Sequence, residues 1–122
     1  MKNFRKYSVW QEAMVIVDDV YGIVDGFPKS ENFGMRSQVT RAAVSVASNI
    51  AEGCSRSSQI DFKRFLQISM GSLFELETQL LIINNRNWVD ENKVIQLIDK
   101  VIELEKRLGA LIRKIKEDTA KS

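Results

Sequence analysis

The chain is 122 residues long, the size of one ordinary domain. Eighteen Lys and Arg against sixteen Asp and Glu give a formal charge of +2, and 44% apolar with 28% charged residues is globular rather than disordered composition. With no His and a single Cys, the sequence excludes a His base, a His-ligated zinc, a carboxylate–His di-iron centre, a Ser-His-Asp triad, an intrachain disulfide and a Cys-only zinc site.

Apolar residues recur with helical period in four segments. The first helix is predicted over about 8–25, with Ser8 and Gln11 in a capping-box pattern. Its inward stripe reads Trp10, Ala13, Met14, Val17, Val20, Tyr21 and Val24. Gly26-Phe27-Pro28 should stop it, Gly as a cap and Pro as a residue that cannot continue the ladder. The second helix is predicted over about 33–52, capped by Ser30 or Asn32. Its stripe of Met35, Val39, Ala42, Ala43, Val46 and Ile50 is mostly small, which lets neighbours approach closely. Gly53 is expected as its C-cap, and the Ser-rich stretch 55–58 offers caps for the third helix.

The third helix is predicted over about 59–84, with Phe62, Phe65, Leu66, Ser69, Leu73, Leu76, Leu80 and Ile83 facing inward. A second stripe, Met70, Phe74 and Leu81, lies on a different side. Residues 84–87 end the helix, and Trp88 and Val89 are placed to plug the open end of a bundle. The fourth helix is predicted over about 90–116, with Asp90 and Glu91 at its positive N-terminus and Arg113, Lys114 and Lys116 in its last turns. Val94, Leu97, Ile98, Val101, Leu104, Leu108, Leu111, Ile112 and Ile115 form its core stripe, and the tail after Glu117 is expected to fray. Connections of about three to seven residues favour antiparallel neighbours. The expectation is one all-α domain over 1–122, an up-down-up-down antiparallel four-helix bundle. No apolar run, residues 80–83 included, is long enough to span a bilayer, and the N-terminal residues have no signal-peptide pattern. A cytoplasmic, reduced protein with no membrane contact is expected.

Few residues offer chemistry. Cys54 sits in an expected loop near Arg56 but has no base to activate it, so a structural role is expected. Glu52, Glu75 and Glu77 could meet inside the bundle; a polar network of Ser72, Glu75 and Gln79 is preferred to a metal site. On the second helix Gln38, Arg41, Ser45, Ser48, Asn49 and Glu52 share one side. Arg41 and Glu52 would either satisfy third-helix neighbours such as Glu75, the favoured reading, or line an oligomeric pore or groove. Basic clusters occur at Lys2/Arg5/Lys6, Lys63/Arg64, Lys106/Arg107 and Arg113/Lys114/Lys116. Each alone reads as a solvated face, whereas many copies would accumulate phosphate contacts. Met70, Phe74 and Leu81, with Ile95 and Ile102 on the fourth helix, exceed what one inward face needs. They fit a broad core or a subunit interface equally.

The run from Gln38 to Gly53 reads Q-x-x-R-A-x-x-S-x-x-x-N-I-A-E-G. It resembles the core motif of the four-helix-bundle proteins encoded in 23S rRNA intervening sequences. Val9-Trp10-Gln11, Phe27-Pro28, Glu31, Arg56, Phe65-Leu66, Gly71-Ser72-Leu73, Glu75-Leu76 and Gln79-Leu80 extend the likeness over nearly the whole chain. The resemblance implies a homo-oligomeric bundle, with pentameric rings known in the family. The related accessory proteins of diversity-generating retroelements bind nucleic acid and a reverse transcriptase. Gln38, Arg41, Asn49, Glu52, Gly53, Arg56, Ser72, Glu75 and Gln79 then read as a folding and assembly signature rather than as catalytic residues.

The function expected from these residues is a non-enzymatic homo-oligomer, pentameric by resemblance, that binds nucleic acid, RNA before DNA, with little sequence preference. Lys63, Arg64, Lys106, Arg107, Arg113, Lys114 and Lys116 would contact phosphate, and Met70, Phe74, Leu81, Ile95 and Ile102 would join the subunits. No catalytic residue, metal or cofactor is assigned. The alternative is an oligomeric scaffold for a partner protein with no nucleic-acid role.

Overall fold

A computed structural model describes residues 2–121. The chain forms a 3-10 turn at Phe4–Lys6, α1 (Ser8–Val24), a second 3-10 turn at Lys29–Glu31, α2 (Met35–Cys54), α3 (Gln59–Arg86) and α4 (Glu91–Ala120). No strand occurs among the described residues. Close backbone approach joins α1 to α2, α2 to α3, α3 to α4 and α4 back to α1, while the diagonal pairs stay further apart across the shared core. The helices therefore occupy the corners of a square, the expected all-α four-helix bundle.

Each helix buries the stripe that its periodicity provides, with one rotation. In α1 the buried residues are Val9, Ala13, Ile16, Val20, Ile23 and Val24. Met14 and Tyr21, expected inside, are 39% and 50% exposed. Both readings satisfy a period of 3.6; the branched aliphatic set fits the narrow seam better than Met and Tyr. The capping box at Ser8 does not form either. Tyr7 is the N-cap residue and makes no side-chain cap. Gln11 instead donates from Nε2 to the Arg5 carbonyl at 2.8 Å, which ties the N-terminal turn to α1. The end of α1 needs no left-handed glycine, since its C-cap is Asp25 in ordinary helical geometry.

α2 starts two residues later than expected and runs two further. Neither Ser30 nor Asn32 caps it: Gly34 is the N-cap residue, and the Glu31 carboxylate accepts from the Met35 amide at 3.2 Å. Gly53 is not a C-cap. It lies buried inside α2, where an added Cβ would come within 3.0 Å of the Phe65 Cβ and 3.1 Å of the Phe62 ring. Its lack of a side chain lets α3 press directly on the α2 backbone. Ser69, fully buried on α3, donates to the Val46 carbonyl at 2.8 Å across the same seam. A buried hydroxyl without such an acceptor would cost about 1–3 kcal/mol.

α3 is capped by Ser58, whose hydroxyl accepts from the Asp61 amide, and ends at Asn87 in the left-handed conformation with φ 56°. Trp88 packs on Phe27 with ring centres 5.2 Å apart and planes tilted by 58°, and Val89 packs beside Gly26. These contacts close that end of the bundle, as expected. α4 is capped by Asp90 and continues to Ala120, so the tail after Glu117 stays helical instead of fraying. Leu104 and Leu108 are fully buried, while Leu111 and Ile112 are partly buried against the core. No described helix is long and apolar enough to cross a membrane.

Candidate nucleic-acid and assembly surfaces

The topology sorts charge along the bundle. The N-terminal turn, the C-terminus of α2, the N-terminus of α3 and the C-terminus of α4 all lie at one end. Three contacts fix this: the Lys2 amide donates to the Cys54 carbonyl at 3.1 Å, Tyr7 meets Phe62 edge-on at 5.8 Å, and Arg107 of α4 pairs with Glu12 in the first half of α1 at 3.4 Å. Segments 2–8, 49–67 and 111–121 form that end, with ten Lys and Arg against four Asp and Glu, a net of +6. The rest of the chain carries eight against twelve, a net of −4. A sequence with an unremarkable total charge thus folds into an electrically polar bundle.

The predicted phosphate-contacting residues divide accordingly. Lys63, Arg113, Lys114 and Lys116 lie at the basic end without a carboxylate partner among the described residues. Arg64 is there too but sits 3.6 Å from Asp61. Lys106 and Arg107 fall near the middle of α4, and Arg107 is held by Glu12 at 3.4 Å and Glu103 at 3.3 Å. The folded chain does not gather the seven residues into one patch. It adds Lys2, Arg5, Lys6 and Arg56, which short-range clustering did not connect to the others. Three of these rest on aromatic rings: Lys2 on Phe62 at 4.7 Å, Arg5 on Phe4 at 5.6 Å and Arg56 on Phe65 at 4.7 Å. Phe4, Tyr7, Trp10 and Phe65 are only half-buried, so the basic end is also aromatic. The up-down order was the signal that could have joined these segments.

The apolar candidates lie along the α3–α4 seam. Met70 reaches α4 beside Gly109. Met70 and Ile102 pack partly on the core, while Phe74, Leu81 and Ile95 are 57%, 49% and 42% exposed. Ile60, Ile68 and Ile82 add to the exposed apolar surface of α3. Within this seam Glu77 of α3 faces Glu105 of α4. Burial and the adjoining Glu77 carboxyl push Glu105 up to about 7. Its Oε2 is buried without a fixed donor, and the protonated acid donates to Glu77 instead.

The polar strip between α2 and α3 is local rather than ionic. Ser45 and Ser72 share a hydrogen bond at 2.9 Å, and Asn49 donates to the Ser45 carbonyl and hydroxyl. Gln79 donates to Glu75 at 3.2 Å, which fits the preferred polar network. The expected pairing of Arg41 and Glu52 with α3 does not occur. Glu52 pairs with Arg56, one turn on, and exposed Arg41 reaches only the hydroxyl of Ser37 at 3.2 Å. Gln38 and Ser48 face solvent. Glu52, Glu75 and Glu77 therefore have separate partners and do not converge. Cys54 lies inside α2, not in a loop, and burial raises its thiol above the ordinary range, so it is poorly ionised.

The chain is a four-helix bundle with a basic, aromatic end and an exposed apolar seam. The chain belongs to the 23S rRNA-intervening sequence protein family, whose profile matches residues 5–110. It is similar in fold to a crystal structure from Bacteroides thetaiotaomicron, described as a protein of unknown function from the S23 ribosomal protein family. The two share 20% identity and superpose with a TM-score of 0.76, over 85% of this chain and 97% of that one. No curated protein matches the sequence.

Proposed function

We propose that this chain is a non-enzymatic cytoplasmic protein that assembles into a homo-oligomer, a pentamer as the family resemblance implies. The assembly binds nucleic acid, RNA before DNA, through its basic ends. The observation that carries the reading is the charge division, +6 at one end against −4 over the remainder. One such end is a modest ligand for phosphate; several on one assembly multiply the contacts. The exposed Phe74, Leu81 and Ile95 support association, because monomers rarely expose contiguous apolar faces of this kind.

The test is RNA binding as a function of salt for the wild-type chain and for Lys2→Ala/Lys6→Ala/Arg113→Ala/Lys116→Ala. Wild-type affinity should fall steeply with salt. The variant should bind weakly and with a shallower slope, by roughly 0.7 per lost phosphate contact on a single strand. Equal binding by the two proteins would remove the basic end from the mechanism.

A second reading, a scaffold for a partner protein, is favoured by Phe33. This ring is 100% exposed, on a connection fastened by the Glu31 cap to Met35 and by Arg36 donating to the Val24 carbonyl at 3.0 Å. An ordered, uncovered aromatic is a common interface anchor. An oligomer that ignores RNA and DNA but loses a stoichiometric partner on Phe33→Ala would favour this reading.

A further inference from the structure

A ring with an odd number of copies needs two different surfaces on each copy, because a two-fold interface cannot close it. The α3–α4 seam supplies one, and its centre sets a demand. There Glu77 and Glu105 press two carboxyls together beside the partly buried Met70 and Ile102, and the half-buried Glu105 meets only the Glu77 carboxyl, with which it can share a proton but from which it gains no positive charge. On α4, Arg107 is turned toward Glu12 and Glu103 and away from this pair, and Arg113 lies two turns further on. Arg113 folds back to within 3.7 Å of the Cβ position of Gly109 but makes no ion pair with either carboxyl. A surface that covers this seam with apolar or small side chains and one cation would let both carboxyls ionise, where the isolated chain holds a proton between them.

The opposite side of the bundle has that composition. On α2 Arg36 is paired to Asp25, and Glu52 to Arg56. Arg41 is the one charged side chain of α2 without an ionic partner among the described residues. It stands exposed beside Val44, 40% exposed, and exposed Ser48. Arg41 is exposed and pairs with neither Glu77 nor Glu105 of its own chain, so it is free to meet those of another copy.

The heights agree as well. Ser45 bonds to Ser72, so one helical turn earlier on α2, at Arg41, the chain comes level with residue 76 of α3. Glu77 is next to that level and faces Glu105. Two copies placed side by side with parallel axes and no stagger bring Arg41 of one against Glu77 and Glu105 of the next. Lack of stagger is what separates a closed ring from a helical fibre.

Resting on the oligomeric reading above, we propose that the subunits join head to tail, with Arg41 of one copy seated on the Glu77–Glu105 carboxyl pair of the next. A guanidinium fork suits two adjacent carboxylates, and the surrounding apolar side chains exclude water from the contact. All copies then point the same way, and every basic end lies on one rim.

Charge reversal with light-scattering mass measurement tests this. The wild-type chain should run as an oligomer. Arg41→Glu should raise the concentration at which the assembly half-dissociates by on the order of tenfold or more, with helicity unchanged because the site is exposed. Arg41→Glu/Glu77→Arg in the same chain should restore the wild-type mass. Glu77→Gln, which cannot introduce a new repulsion, should weaken association without abolishing it. A wild-type oligomer indifferent to Arg41→Glu overturns the pairing alone, as does a double reversal as dissociated as the single one. A wild-type monomer overturns the oligomeric reading beneath it.

Discussion

Two glycines on helix surfaces have opposite jobs. Gly53 carries the α2–α3 contact, where a Cβ would lie 3.0 Å from the Phe65 Cβ, whereas a Cβ on Gly22 would meet nothing within 4 Å. Gly53→Val should destabilise by more than about 2 kcal/mol through overpacking. Gly22→Ala should stabilise by about 0.5–1 kcal/mol, because alanine restricts the unfolded chain. Urea unfolding of both variants checks the pair. The sequence marks both as Gly and cannot tell them apart, since the difference lies in which rings α3 presents. Glu105 yields a prediction with a definite sign. Its carboxyl is raised from 4.5 to about 7 by burial and by the hydrogen bond and charge of Glu77. In the unfolded chain it loses its proton first, so between about 4.5 and 7 the folded state holds more protons. Stability from this group is present below 4.5, declines through that window and is flat above it. In an Arg41→Ala background, which removes the proposed intermolecular cation, Glu105→Gln should stabilise the chain at pH 8 by about 1–2 kcal/mol, after allowing for partial solvent screening, and leave it unchanged at pH 4.

At the scale of elements, periodicity located all four helices, because long amphipathic stripes leave little choice of structure. Their ends were less legible. Ser8 and Gln11 have capping-box spacing, yet Gln11 reaches back to Arg5 because the N-terminal 3-10 turn folds over α1. That competing partner lies outside any local window. The exit from α3 was placed by its Asn-rich run, and Asn87 takes the left-handed conformation there. Asn87→Gly should be neutral or slightly stabilising, and Asn87→Val should cost about 1–2 kcal/mol, read as a lower Tm. The α2 motif residues were recognised as a set, but not their partners. Ser45, Asn49 and Ser72 bond among themselves, while Arg41 is left to solvent. Side-chain partnership depends on the rotation of each helix about its axis, which a pattern of period 3.6 fixes only to within one neighbour.

For the whole molecule, total charge was a poor guide to surface charge. The sequence offers four separate basic clusters, and the bundle brings three of them, with Arg56, to one end. Short-range reading missed this because the segments are distant in the chain and meet only through up-down topology. With subunits joined head to tail at one height, those ends share a rim, and binding strength becomes a property of the assembly rather than of the chain. The most direct measurement is therefore mass by light scattering, with and without a structured RNA, at low and at high salt. An oligomer that binds RNA electrostatically should show a five-fold mass in every condition, carrying RNA at low salt and releasing it at high salt. A monomer, or an oligomer to which RNA stays bound regardless of salt or never binds, would contradict the proposal.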